Sequence, residues 1–288
     1  MGKSFREIRK LVSRLSPKLS SKIMYRVIMK KGCNLNNPQT FNEKIQWMKL
    51  NYWPNNELAI QCSDKYRVRE FVKANGCGQY LNELYFSWNR AEEINWGQLP
   101  KKFVIKCNHG CAYNIICNDK SSLSEEETKK KLDKWMKEDF ALVSAEPHYS
   151  KIPRKIICER HLGNDIKDYK FFCFNGEPKF FYISQGDLHN MKANFFYIDG
   201  RKADFKRTDH ETFDKEPEMP VNLEKMLEES RKLSKQFPFV RVDWFEVDGK
   251  MYFSELTFSP CTGMMPLYPK DADYKLGQLL KCGGEKYE

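Results

Sequence analysis

Apolar positions recur along the chain at helical spacing at first, and at strand spacing afterwards. Phe5, Ile8, Val12 and Leu15 lie three or four residues apart, as on one face of an α-helix. In "TFNEKIQWMKL", Thr40 and Glu43 have capping-box separation, and Ile45, Met48 and Leu50 supply the apolar positions. "SDKYRVREFVKANG" predicts another helix, with Ser63 or Asp64 as N-cap, Val68, Phe71 and Val72 inward and Gly76 as its stop. From there the pattern changes. "KKFVIKCNHGCAYNIICN" reads as two strands, Phe103 to Lys106 and Asn114 to Cys117, around a loop of small and polar residues. "RKIICERHL" is a further strand, and "DYKFFCFNGEPKFFYIS" a hairpin turning at Asn175-Gly176. "SEEETKKKLDKWMKEDF" and "VNLEKMLEESRKLSKQF" are helical, the second with Leu223, Met226, Leu227 and Leu233 inward. A polar run over 200–220 predicts a surface loop before the last strand pair, "RVDWFEVDGKMYFSELTFSP". Strands and helices that do not alternate regularly indicate an α+β protein.

Composition narrows the class. With 41% hydrophobic and 14% aromatic residues in 288, the chain has a large core, and disorder is excluded. No run of eighteen apolar residues and no secretory leader is evident, so a cytoplasmic location is expected. The ten cysteines lack a C-x-x-C pair and are expected to be mostly buried thiols; Cys107-Asn-His-Gly-Cys111 has no second half at zinc spacing. The net charge of +10 is concentrated in residues 1–31, where ten Lys and Arg face a single Glu7. Two readings of this basic arm follow. Its apolar stripe packs on the main body under a solvated cationic face, or the arm docks on an anionic membrane or acceptor as a peripheral contact. Nucleic acid fits poorly, because aromatic and basic residues are not interleaved there.

The final strand pair carries charge inside an apolar stretch. A two-residue turn at Asp248-Gly249 sets Asp243 opposite Ser254 and sends Glu255 to the other face. A three-residue Val247-Asp248-Gly249 loop instead gathers Arg241, Asp243, Glu255 and Thr257 on one face. Paired carboxylates suit a hard cation such as Mg²⁺, which takes its other ligands from water and phosphate. Lys106 ends a strand before small residues Gly110, Cys111 and Ala112, and Lys65 is a second candidate phosphate contact. Neither a P-loop nor a dinucleotide-binding glycine fingerprint is present.

Taken in order, "SDKYRVREFV", "FVIKCNHG", "IICERHL", "DYKFFCFNG" and "FVRVDWFEVDGKMYFSELTFSP" resemble the ATP-grasp superfamily, in particular its teichuronopeptide-biosynthesis (TupA-like) branch, over roughly residues 36–267. The resemblance implies two α+β lobes with mainly antiparallel sheets clasping Mg-ATP, divided as a basic helical region over 1–60, a first lobe over 61–162 and a second over 163–288. It implies that Lys65 and Lys106 contact ATP phosphates, with Asn108, His109, Gly110, Cys111 and Ala112 as the covering loop. Glu159 falls on the strand that holds adenine and ribose, while Asp168 and Lys170 have a sheet-structural or a substrate-facing role. Asp243 and Glu255, with Thr257 in the place of a metal-binding asparagine, are the implied metal ligands, and Arg241 meets the transferred phosphoryl group. That set requires the three-residue turn. The implied activity is activation of a carboxylate, such as a uronic acid of a surface polysaccharide, as an acyl phosphate captured by an amine. The alternatives are a glycosyltransferase using Asp271-Ala272-Asp273, a sugar kinase, and a non-catalytic nucleotide-binding protein.

Overall fold

The structure is a computed structural model that describes residues 3–186 and 190–281, with the side chains of 3–5, Phe5 among them, left aside; the end of the expected second lobe, 282–288, lies outside. The chain opens with helices α1 (Lys3–Leu15), α2 (Pro17–Met29), α3 (Phe41–Asn51), α4 (Glu57–Ser63) and α5 (Val68–Ala74). Strands β1 (Leu84–Trp88), β2 (Phe103–Cys107) and β3 (Asn114–Cys117) follow, then α6 (Glu125–Lys137), α7 (Phe140–Ser144) and β4 (Ile156–Arg160). The second half holds β5 (Asp168–Phe174), β6 (Glu177–Gln185), β7 (Lys192–Tyr197), β8 (Lys206–Arg207), α8 (Leu223–Ser234), β9 (Phe239–Val247), β10 (Lys250–Thr257), β11 (Leu267–Tyr268) and α9 (Ala272–Gly277).

Two antiparallel sheets result. One has the order β1-β4-β2-β3, the other β10-β9-β5-β6-β7, and β8 and β11 form a short pair of their own. Each sheet has a separate core. Ile94, Leu99, Phe103, Ile105, Leu132 and Ile156 pack in the first. The second is dominated by stacked rings, with Phe171 over Phe181 and Phe172 over Phe180 at centroid separations of 4.8 and 4.6 Å. Phe41, Ile45 and Met48 of α3 and Val68 and Phe71 of α5 belong to that same core.

Local chemistry explains the helix entries. At α3 the capping box forms as its spacing predicts, and the Glu43 carboxylate also accepts from the N–H groups of Asn34 and Gln39, which ties down the incoming chain. The predicted helix over "SDKYRVREFV" is interrupted. Asp64 closes α4, its Oδ1 accepts from the N–H groups of Tyr66 and Arg67 at 2.8 and 3.2 Å, and α5 starts only at Val68. Lys65 therefore sits in a turn, where its N–H donates to the Asn108 carbonyl at 3.2 Å.

The expected inward packing of the arm's apolar stripe fails at two of its described positions: Ile8 and Leu15 are 55% and 86% exposed, and Val12 is half-buried. Neighbouring Leu11 is 60% exposed, while Arg6 and Lys10, on the opposite side of α1, form ion pairs with Glu138 of the body.

A buried histidine makes the fold acid-sensitive. His148 follows α7 at 1% exposure, and burial, reinforced by the Lys49 ammonium, pushes its pKa down to about 3. Its folded value lies below the usual unfolded one of ~6.5, so the stabilisation is present above that pH and is lost as pH falls towards 3. Between pH 7 and 5 this one group should remove about 2 kcal/mol. Urea unfolding at both pH values checks it: in His148→Gln that increment should vanish.

Candidate active site

The β9–β10 hairpin decides where the carboxylates go. Val247 pairs with Lys250, so the turn is the two-residue Asp248-Gly249 and the three-residue loop expected from the sequence does not form. Both turn residues have positive φ, 51° and 70°, the left-handed pair whose twist matches the strands it joins. The extra residue enters further along. Phe253 pairs with Trp244 and Glu255 with Asp243, leaving Ser254 as a β-bulge, and Thr257 pairs with Arg241. The bulge brings Glu255 directly opposite Asp243, onto the face that a regular ladder from this turn would deny it.

A buried ionic network occupies that face. The Arg241 guanidinium donates from Nε and Nη2 to the two Asp243 oxygens at 2.7 and 2.6 Å, and Nη2 also reaches Thr257 Oγ1 at 3.0 Å and Glu255 Oε1 at 3.3 Å. Thr257 in turn donates to Glu255 Oε1 at 2.9 Å, so its hydroxyl orients the carboxylate. Strand β5 adds Lys170, paired in register with Asp243, whose Nζ lies 3.0 Å from Asp243 Oδ2 and 3.1 Å from Asp168 Oδ2. Burial alone would raise Glu255, but Lys65, at 3.5 Å, with Arg241 and Lys170, outweighs it and holds the carboxyl at about 2. Burial works against the charged form of Lys170 too, yet Asp168 and Asp243 carry its pKa above the ordinary lysine value.

The first sheet presents a smaller cluster. Glu159 on β4 accepts from Lys106 Nζ at 2.8 Å and from Arg69 Nη1 at 3.3 Å, with Arg69 also held by the Asn82 carbonyl at 2.8 Å. Between the sheets lies a cavity of about 350 Å³. Lys65, Lys106, Lys170, Asp168, Glu159 and Glu255 line it, together with apolar walls from Val68, Leu81, Ile157, Leu162, Phe245 and Phe253. A second cavity of about 440 Å³ shares Lys65, Cys111, Lys170, Met191, Ser254 and Glu255 with the first, and extends to Arg241, Thr257, Tyr182, Tyr149, Arg207 and His210.

The sequence-derived candidates divide accordingly. Of the loop after β2, Cys111 and Ala112 line a cavity. Asn108 is spent on structure, donating from Nδ2 to Asp64 Oδ1 and the Pro153 carbonyl at 2.7 and 2.8 Å. His109 is buried with Nε2 3.1 Å from the Trp135 carbonyl oxygen, and Gly110 is small because a Cβ there would lie 2.7 Å from the Tyr113 ring. Asp243 is fully buried beneath Glu255 and lines neither cavity. Sequence reasoning passed over Arg69, which lies within a quoted motif, and Arg207, which stands in the polar run 200–220 with no local signal.

The donor set suits a nucleotide and a hard cation. Three lysines converge on a cavity with apolar walls, as a polyphosphate with a flat base requires, and Asp168 Oδ1 is buried at its edge without a hydrogen-bond partner. Glu255 and Asp168, the network carboxylates that line this cavity, could hold Mg²⁺, with Asp243 behind them.

A family model described as TupA-like ATPgrasp matches residues 43–281. The chain belongs to the TupA-like ATP-grasp family. Its two antiparallel sheets with the cleft between them are thus the ATP-grasp fold, preceded by a helical N-terminal region. No curated protein matches the sequence. Among solved structures, a D-alanine–D-alanine ligase from Bacillus anthracis complexed with ATP gives a TM-score of 0.46 at 16% identity, over 76% of this chain and 64% of that one. A D-alanine–D-alanine ligase from Helicobacter pylori gives 0.39 at 16% identity, over 84% and 69%. An L-amino acid ligase from Bacillus licheniformis gives 0.41 at 13%, over 69% and 43%. The ATP-grasp chain spans less than two thirds of the length of the Bacillus anthracis ligase, and its membership rests on the family match rather than on these superpositions.

Proposed function

We propose that the protein is an ATP- and Mg²⁺-dependent carboxylate–amine ligase acting on an anionic acceptor, such as a uronic acid of a surface polysaccharide, in the cytoplasm. The observation that carries this reading is the continuity of the two cavities, which meet at Lys65, Lys170 and Glu255. The 350 Å³ cavity suits ATP, with Lys65, Lys106 and Lys170 against its phosphates. Bound Mg²⁺ would supply charge neutralisation between the phosphates from Glu255 and Asp168. Beyond the junction, Arg207, held by Asp209 at 2.9 and 2.7 Å, and Arg241 place guanidinium groups along the second cavity, which suits a carboxylate placed to attack the terminal phosphorus. Arg241, fixed by two bonds to Asp243, is a rigid donor there, and the chain's part in the reaction is to position and stabilise charge rather than to supply a nucleophile.

The glycosyltransferase alternative loses its motif. Asp273 accepts from both the backbone and the side-chain amide of Asn42 at 2.9 Å and pairs with Lys31 at 3.0 Å, while Asp271 pairs with Lys275 at 2.7 Å. Incubation with ATP, Mg²⁺ and paired uronic acids and amino acids should release ADP only when both are present. ADP release with a hydroxyl acceptor alone would mean a kinase, and ATP binding without turnover an accessory protein. In the active pairing, Arg207→Ala should raise KM for the carboxylate about 10- to 100-fold, the worth of a hydrogen bond to a charged group, and leave KM for ATP unchanged.

A further inference from the structure

The first two helices turn their greasy side to solvent. In α1, Ile8, Leu11 and Leu15 lie on one exposed face, while Arg6, Arg9, Lys10 and Ser13 point the other way, to the body. In α2, Leu19, Ile23 and Val27 form an exposed row at four-residue intervals, and Lys18, Lys22 and Arg26 form a second exposed row beside it, with Lys30 exposed just past the helix end. Ser16 caps α2, and a buried bond of 2.8 Å from Ser13 to Ser20 joins the pair, so Leu15 and Leu19 project together from the hairpin tip. With Ile28 of α2, seven of the large apolar side chains exposed on the described surface thus fall on one helical hairpin, among cations. Arg14, Lys18, Lys22, Arg26 and Lys30 are exposed and make no ion pair with a described residue.

We propose that this hairpin is a docking surface for an anionic phospholipid bilayer, with Leu11, Leu15 and Leu19 entering the headgroup boundary and the flanking cations against lipid phosphates. An apolar row beside a cationic row is the pattern an interfacial helix needs, and among the described residues no helix is long and apolar enough to cross a membrane. A second copy of the chain is a poor occupant, because two such faces would set their uncompensated lysines and arginines against each other. The surface is coupled to the catalytic lobe. Helix α1 packs on α7, whose Phe140 lines the second cavity, so docking would fix that cavity relative to the bilayer. The inference does not depend on the ligase reading.

Sedimentation of the full chain with vesicles tests it. The protein should pellet with phosphatidylcholine mixed with phosphatidylglycerol, far less with phosphatidylcholine alone, and less again as salt rises. Two variants, Leu11→Ser/Leu15→Ser/Leu19→Ser and Lys18→Glu/Lys22→Glu/Arg26→Glu, should each weaken partitioning at least about tenfold. Because every substituted side chain is exposed, both should keep the parent's circular dichroism and unfolding midpoint. Absence of pelleting with anionic vesicles, or undiminished pelleting of folded variants, would overturn the proposal. So would light scattering that shows a dimer abolished by the leucine substitutions.

Discussion

Asp243→Ala is expected to destabilise the fold by about 3–5 kcal/mol, because it leaves two buried cations without their counter-ion. Asp243 has no exposed surface, and its two oxygens accept three charge-assisted bonds, two from Arg241 and one from Lys170. Neither cation has an easy escape, since Arg241 is 7% and Lys170 9% exposed and both strands lie inside the five-stranded sheet. Glu255 and Asp168 offer some compensation, which sets the lower end of the range. Set against a total stability of about 5–15 kcal/mol, the loss should appear as a large drop in the urea midpoint without a change in slope. A triple change, Lys170→Met/Arg241→Met/Asp243→Leu, should recover much of the stability while abolishing any activity, since apolar replacement of a whole buried network removes the desolvation cost along with the attraction. A midpoint in Asp243→Ala within about 0.5 kcal/mol of the parent would mean that water or relaxation reaches the network.

Much of this fold was legible because short-range chemistry and long-range packing agree in it. The Thr40–Glu43 capping box, the Asn175-Gly176 hairpin and the inward residues of α8 all stand where spacing puts them. The site was legible as a set of residues and less so as a geometry. Parity along a strand is lost at a bulge, and nothing local marks Ser254 as the residue that stands outside the ladder, so the sequence alone assigns to the turn length what the bulge does. The basic arm shows a different limit. Periodicity gives the relative positions of the apolar and polar faces but not which of them meets the body; here Glu138 selects the cationic side through Arg6 and Lys10. Arg207 reaches the second cavity from a two-residue strand in a polar run, where tertiary structure alone supplies the placement.

Glu255→Gln separates function from fold. The amide keeps the size of the carboxylate and can still accept from Arg241 and Thr257, and the side chain is 36% exposed to the cavities, so stability should change by about 1 kcal/mol or less. Activity should respond very differently. Lys65, Arg241 and Lys170 hold Glu255 ionised at neutral pH, and it stands at the junction of both cavities, where the proposed ligase would need a negative ligand for Mg²⁺ between the phosphates and the attacking carboxylate. Loss of that charge should lower acceptor-dependent ADP release about 100- to 1,000-fold, the cost found when one preorganised charge stabiliser is removed from an active site. Added Mn²⁺, which tolerates neutral oxygen ligands, should restore part of the rate if the missing function is metal binding. Isothermal titration would locate the defect: binding of ATP in the presence of Mg²⁺ should weaken in the variant, while binding of ATP with the metal chelated should not. Equal ADP release by parent and variant under saturating Mg²⁺ would remove Glu255 from the metal site, and with it the reason for the bulge that carries it there.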